Sequence, residues 1–86
     1  MLDTLPTLIA ERLAPLTPTT LHLQDDSAAH KGHAGNRLGG AHYTLTIASP
    51  KFAGLTRIAC DRLIYAQLTD LFPTPLHALS IKIIKL

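Results

Sequence analysis

Apolar residues recur along this chain at two different periods. Over residues 2–14, Leu5, Leu8, Ile9 and Leu13 keep helical spacing, with Glu11 and Arg12 on the other side, which predicts an amphipathic helix. Pro6 sits early, where a missing N–H costs least, and Pro15 and Pro18 forbid continuation. Residues 20–24 switch to alternation, with Leu21 and Leu23 on one side and His22 on the other. That is the pattern of a half-buried strand. Residues 41–48 alternate again, Tyr43, Leu45 and Ile47 inward and His42, Thr44 and Thr46 outward. Between them runs a polar stretch, 25–40, that holds Gly32, Gly35, Gly39 and Gly40. The two strands therefore read as a hairpin with a large tip, and loops of this length in a compact domain are usually functional or disordered.

Ser49 followed by Pro50 is a helix-start signal that Gly54 interrupts. Residues 55–71 then predict the longest helix, with Leu55, Ile58, Ala59, Leu63 and Ala66 as its buried stripe and Leu68, Leu71 and Phe72 completing it. Pro73 and Pro75 end it, and residues 77–85 read as a last strand with Leu79, Ile81 and Ile83 inward. The order is α-β-β-α-α-β. The last strand follows the second through a helical crossover, so it should lie parallel to it with a right-handed connection. The predicted fold is α+β, a three-stranded mixed sheet with helices packed on one face. The other face is polar, carrying His22, Thr44, Thr46, Ser80 and Lys82.

Composition narrows the functional classes. The 86 residues suit one domain, 1–86, and 47% apolar content supplies a core without staples. A net charge of +2 is too small for the dense basic stripe of a dedicated nucleic-acid module. The single cysteine, Cys60, excludes an internal disulfide, so a reducing compartment is expected. No apolar run approaches the ~20 residues of a membrane span. The opening residues lack the basic and apolar regions of a secretory leader, so the expected location is the cytosol.

Catalytic signatures are missing from the sequence. Ser27 and Ser80 sit in no Gly-x-Ser-x-Gly elbow, and no glycine-rich phosphate loop or Walker lysine follows a strand. Asp25 and Asp26 are adjacent and point opposite ways in extended chain, which suits a turn better than paired acid–base work. Cys60 falls at the edge of the helical stripe and reads as a small core residue. The protein is expected to bind rather than to catalyse.

The five histidines carry the candidate chemistry. Imidazole is the commonest neutral metal ligand. His22 reads as solvated and His42 as a cross-strand contact, while His30 and His33 lie in the glycine-rich stretch and His77 opens the last strand. Two or three histidines without clustered cysteines cannot close a four-ligand site alone. They could supply half of one, with a partner supplying the rest.

Five stretches resemble the BolA family in family order. They are Asp25-Asp26-Ser27-Ala28-Ala29-His30-Lys31-Gly32-His33, Gly39-Gly40-Ala41-His42-Tyr43, Phe52-Ala53-Gly54-Leu55-Thr56-Arg57, Arg62-Leu63-Ile64-Tyr65 and His77-Ala78-Leu79-Ser80-Ile81. The resemblance implies a type II KH-like fold of the same element order. It also implies pairing with a monothiol glutaredoxin and a shared 2Fe–2S cluster, with a glutaredoxin cysteine and a glutathione thiol as the other ligands. On this chain the implied metal ligands are His77 and, from the hairpin stretch, His33, with His30 as a further candidate. No cofactor is expected in the isolated protein, and pairing of two copies stays open. The implied role is iron–sulfur trafficking or iron regulation.

Many members carry Arg-His-Arg where this chain has Cys60-Asp61-Arg62. Two cations are thus replaced by a thiol and an anion, which lowers the positive potential of the long helix. That weighs against the competing reading, a DNA- or RNA-binding transcription regulator using the helix–turn–helix surface over 50–71. Its phosphate contacts would be Lys51, Arg57, Arg62 and Lys82. A third reading is a protein adaptor with no metal, using the same loop and last strand.

Overall fold

The computed structural model describes residues 4–26 and 41–85. Helix α1, Leu5–Leu13, is opened by the Thr4 hydroxyl, which accepts a hydrogen bond from the Thr7 amide. A 3₁₀ turn, Ala14–Leu16, extends it by one tight turn before the chain reverses. Strand β1, Thr20–Asp25, pairs antiparallel with β2, Ala41–Ala48. A 3₁₀ turn at Pro50–Phe52 follows, capped by Ser49, and Gly54 takes a left-handed φ of 76° as the chain turns. Helix α2, Arg57–Gln67, is capped by Thr56 and leads through a further 3₁₀ turn, Thr69–Leu71, to strand β3, Leu76–Ile83. Strand β3 lies parallel to β2, so the sheet order is β1-β2-β3. No helix among the described residues is long and apolar enough to cross a membrane.

The α+β mixed sheet with helices on one face is the predicted architecture. Both β2 boundaries agree with the expected 41–48. The first member of the expected helix pair after β2 is only a three-residue 3₁₀ turn. Among the described residues the helical layer is therefore two α-helices, α1 and α2, touching each other over the sheet.

Alternation in β2 places Tyr43, Leu45 and Ile47 in the core, against Ile9 and Leu13 of α1 and Cys60 and Ile64 of α2. Cys60 is fully buried, as a small core residue should be. The expected stripe on the long helix needs correction. Leu63 packs on the core and Leu68 and Leu71 are buried as expected, but Ile58 is 64% exposed and Ala66 is exposed, whereas Cys60 and Ile64 are fully buried. The expected stripe counts from Leu55, which precedes the Thr56 cap and is not helical. At 3.6 residues per turn, starting from a residue outside the helix rotates the apolar face by about 100°.

Arg12 of α1 reaches across to Asp70, Nη2 to Oδ2 at 2.8 Å, tying α1 to the turn after α2. The hydrogen bond from Arg12, more than its charge, holds the Asp70 carboxyl below its ordinary value. A carboxylate lowered in the folded state stabilises the fold above its unfolded value. That contribution is lost as pH falls through the folded value. Asp70→Asn should therefore lower the urea midpoint slightly at neutral pH, by the small amount expected of an exposed pair. The difference from wild type should vanish in strongly acidic buffer, and a gap that persisted there would mean the pair acts through something other than charge.

Candidate functional site

The face of the sheet away from the helices is organised in rows. Pairing sets His22 beside Thr46 and Lys82, and Gln24 beside Thr44 and Ser80. At the start of the parallel strands the next row holds Asp26, His42 and the first residues of β3. There the register is irregular. Ala41 pairs with Leu76 and His42 pairs with Ala78, which leaves His77 as an extra residue in β3.

A bulge of this kind re-aims side chains. Leu76 is fully buried and Leu79 packs on the core, although they are three positions apart. The extra residue accommodates that spacing by putting His77 on the open face, where it is exposed. His77 there meets the ring of His42, with centroids 5.3 Å apart and planes tilted by 49°. A backbone bond from the Ala41 amide to the Pro75 carbonyl, 2.8 Å, locks the two strand starts together just ahead of both rings.

Asp26 flanks His42 on the β1 side. Its amide donates to the His42 carbonyl at 2.7 Å. Its carboxylate accepts from the Thr44 hydroxyl and from the Gln24 amide nitrogen, so it is committed to the neighbouring row. Tyr43, on the core side of the same strand, has its phenol pushed up by burial and by Asp25 beside it.

The structure thus presents two imidazoles on one open edge. His77 is where the sequence places it, at the start of the last strand. His33 and His30 lie outside the described residues, in the segment that leaves the sheet after Asp26 and returns at Ala41. Sequence spacing gives His42 a cross-strand contact, which it makes, but does not single it out as a ligand. The signal is the parallel register: β2 and β3 start at the same end of the sheet, so a histidine near each start must be neighbours. Among the described residues no group of three or more His, Cys, Asp or Glu side chains converges as a metal site. A cavity of about 220 Å³, lined by Ser49, Phe52, Gly54, Ile84 and Lys85 among others, sits at the opposite end of the strands.

The four cations proposed for phosphate contact do not all project from one face. Arg57 is paired with Asp61 at 2.9 Å and also donates to the Ile81 carbonyl. Arg57 and Arg62 sit on the helix covering one face, while Lys82 projects from the open face. Lys51 lies on the 3₁₀ turn near the far cavity.

The family profile described as BolA-like protein matches residues 13–85. The chain belongs to the BolA-like family. Among solved structures, the BolA domain of SufE1 from Arabidopsis thaliana superposes with a TM-score of 0.81 at 36% identity, covering 99% of this chain and 95% of that one. BolA1 from the same plant gives 0.80 at 31% identity, over 99% and 95% of the two chains. A UV-induced protein, uvi31, of Schizosaccharomyces pombe is 40% identical over 63 residues, 69% of this chain and 62% of that protein. SufE-like protein 1 of Arabidopsis thaliana, chloroplastic/mitochondrial, is 41% identical over 71 residues, 77% of this chain but 19% of that protein. The BolA-like chain thus spans less than two thirds of the length of these two relatives.

Proposed function

We propose that this BolA-like chain is a non-catalytic adaptor that pairs with a monothiol glutaredoxin and holds a 2Fe–2S cluster jointly with it, in iron–sulfur trafficking or iron regulation. The observation that carries the proposal is the exposed His77, set by a bulge on the open face with a second imidazole 5.3 Å from it. Family membership points the same way.

The donor set suits half of such a site. His77 is the fixed ligand. The second imidazole comes from His33 or His30 of the connecting segment, or from His42. A glutaredoxin cysteine and a glutathione thiol complete the set. Imidazole ligation raises a cluster's reduction potential above that of an all-thiolate site. The chain's own residues present the rings of His42 and His77 from hydrogen-bonded neighbouring strands.

Mixing the purified chain with a monothiol glutaredoxin, glutathione, iron and sulfide tests this. The expected outcome is a heterodimer whose visible spectrum differs from that of the glutaredoxin homodimer, while the chain alone stays colourless. A mixture that keeps the homodimer spectrum and elution volume would end the cluster-sharing reading.

A further inference from the structure

The two imidazoles have a geometry that does not depend on a partner protein. Zinc–nitrogen bonds are about 2.0–2.1 Å, and an imidazole centroid lies roughly 1.1 Å behind its nitrogen. Two imidazoles at a tetrahedral angle on one zinc ion then have centroids about 5.2 Å apart, against about 6.4 Å for a linear arrangement. The His42–His77 separation of 5.3 Å is an ordinary distance for packed rings and also lies within the span that one tetrahedral ion bridges. The strands bearing them are hydrogen-bonded neighbours and are tied together at their starts, so both rings are held at one place on the sheet, from which side-chain rotation can turn a nitrogen of each towards one ion.

We propose that His42 and His77 form a two-imidazole site at which this chain alone binds one Zn²⁺ ion. Asp26 does not ligate it, because its carboxylate is engaged by Thr44 and Gln24. Water fills the remaining positions on the open face, as in zinc sites that keep open coordination. Borderline ions prefer imidazole, whereas Mg²⁺ and Ca²⁺ take oxygen ligands and are refused. With only two protein ligands the ion exchanges readily. An ion held there would occupy the imidazole needed for cluster sharing, so zinc would oppose the glutaredoxin complex. That consequence, unlike the site itself, rests on the adaptor reading.

Calorimetric titration of Zn²⁺ into the full chain, with Co²⁺ as a visible probe of coordination, tests the site. One equivalent should bind, and Co²⁺ should give the intense band of a tetrahedral complex. His42→Gln and His77→Gln should each weaken Zn²⁺ binding at least tenfold. His22→Gln, on the same face two rows away, and a His30→Gln/His33→Gln double variant should leave it within twofold. In the wild-type chain the ring signals of His42 and His77 should shift together on Zn²⁺ addition, a readout that needs no variant to fold. Absence of binding, binding that survives either single substitution, or loss with the His30/His33 pair would each overturn the proposal. No glutaredoxin, iron or sulfide is present, so this site and the adaptor reading can fail separately.

Discussion

His77→Ala should abolish the spectral change on co-reconstitution with a monothiol glutaredoxin, leaving only the homodimer spectrum. The expected effect is complete because His77 is the proposed ligand that the bulge in β3 sets on the open face. The side chain is exposed and caps no core contact, so its removal should change stability by no more than about 0.5 kcal/mol. An unchanged thermal melt would therefore assign the loss to ligation and not to unfolding. His42→Ala, His33→Ala and His30→Ala then divide the second ligand between strand and segment. Whichever gives the larger fall in cluster occupancy names the partner of His77. His22→Ala should do little, since His22 stands beside Thr46 and Lys82, two rows from the pair. If His77→Ala retained the heterodimer spectrum, His77 would not be a cluster ligand, and the role assigned to the bulge would fall.

Much of the fold is legible in the amino-acid sequence. Period-two alternation over 41–48 gives β2 its boundaries, because one face of that strand is buried and the other is polar. The parallel placement of β3 follows from the length of its crossover. The histidine opening β3 is visible through the family resemblance. Other parts are hidden for physical reasons. The bulge at His77 depends on Leu76 and Leu79 both seeking the core from positions three apart, which strict alternation does not reveal. The contact with His42 needs the register of two strands that are far apart in sequence. The helical stripe is misplaced because Leu55 looks like a core position and does pack against the core, but from the turn before the cap. Arg57 illustrates the same limit: sequence offers it as a phosphate contact, and the fold commits it to Asp61 and to the edge of β3.

That misplaced stripe yields the largest expected effect on stability. Ile64→Ala should cost about 3 kcal/mol, while Ile58→Ala, six residues earlier on the same helix, should fall within about 0.5 kcal/mol of wild type. The chemistry of the two substitutions is identical; only burial differs. Ile64 is fully buried beneath the sheet, and Ile58 is 64% exposed. Truncating Ile64 loses the transfer energy of three carbons and leaves a cavity that close-packed neighbours fill only partly. Truncating Ile58 leaves no cavity, and alanine's better helix propensity offsets what little contact is lost. A domain of this length has a total stability of roughly 4–13 kcal/mol, so the Ile64 change removes a large share. At about 4–8 °C per kcal/mol it should lower Tm by on the order of 12–24 °C. Urea midpoints with an unchanged m-value would confirm that the folded state and not the denatured one is affected. The helical count from Leu55 places Ile58 inside and leaves Ile64 off the stripe, so equal costs, or a larger cost at Ile58, would mean that α2 is rotated about its axis, with Ile58 and not Ile64 turned to the sheet.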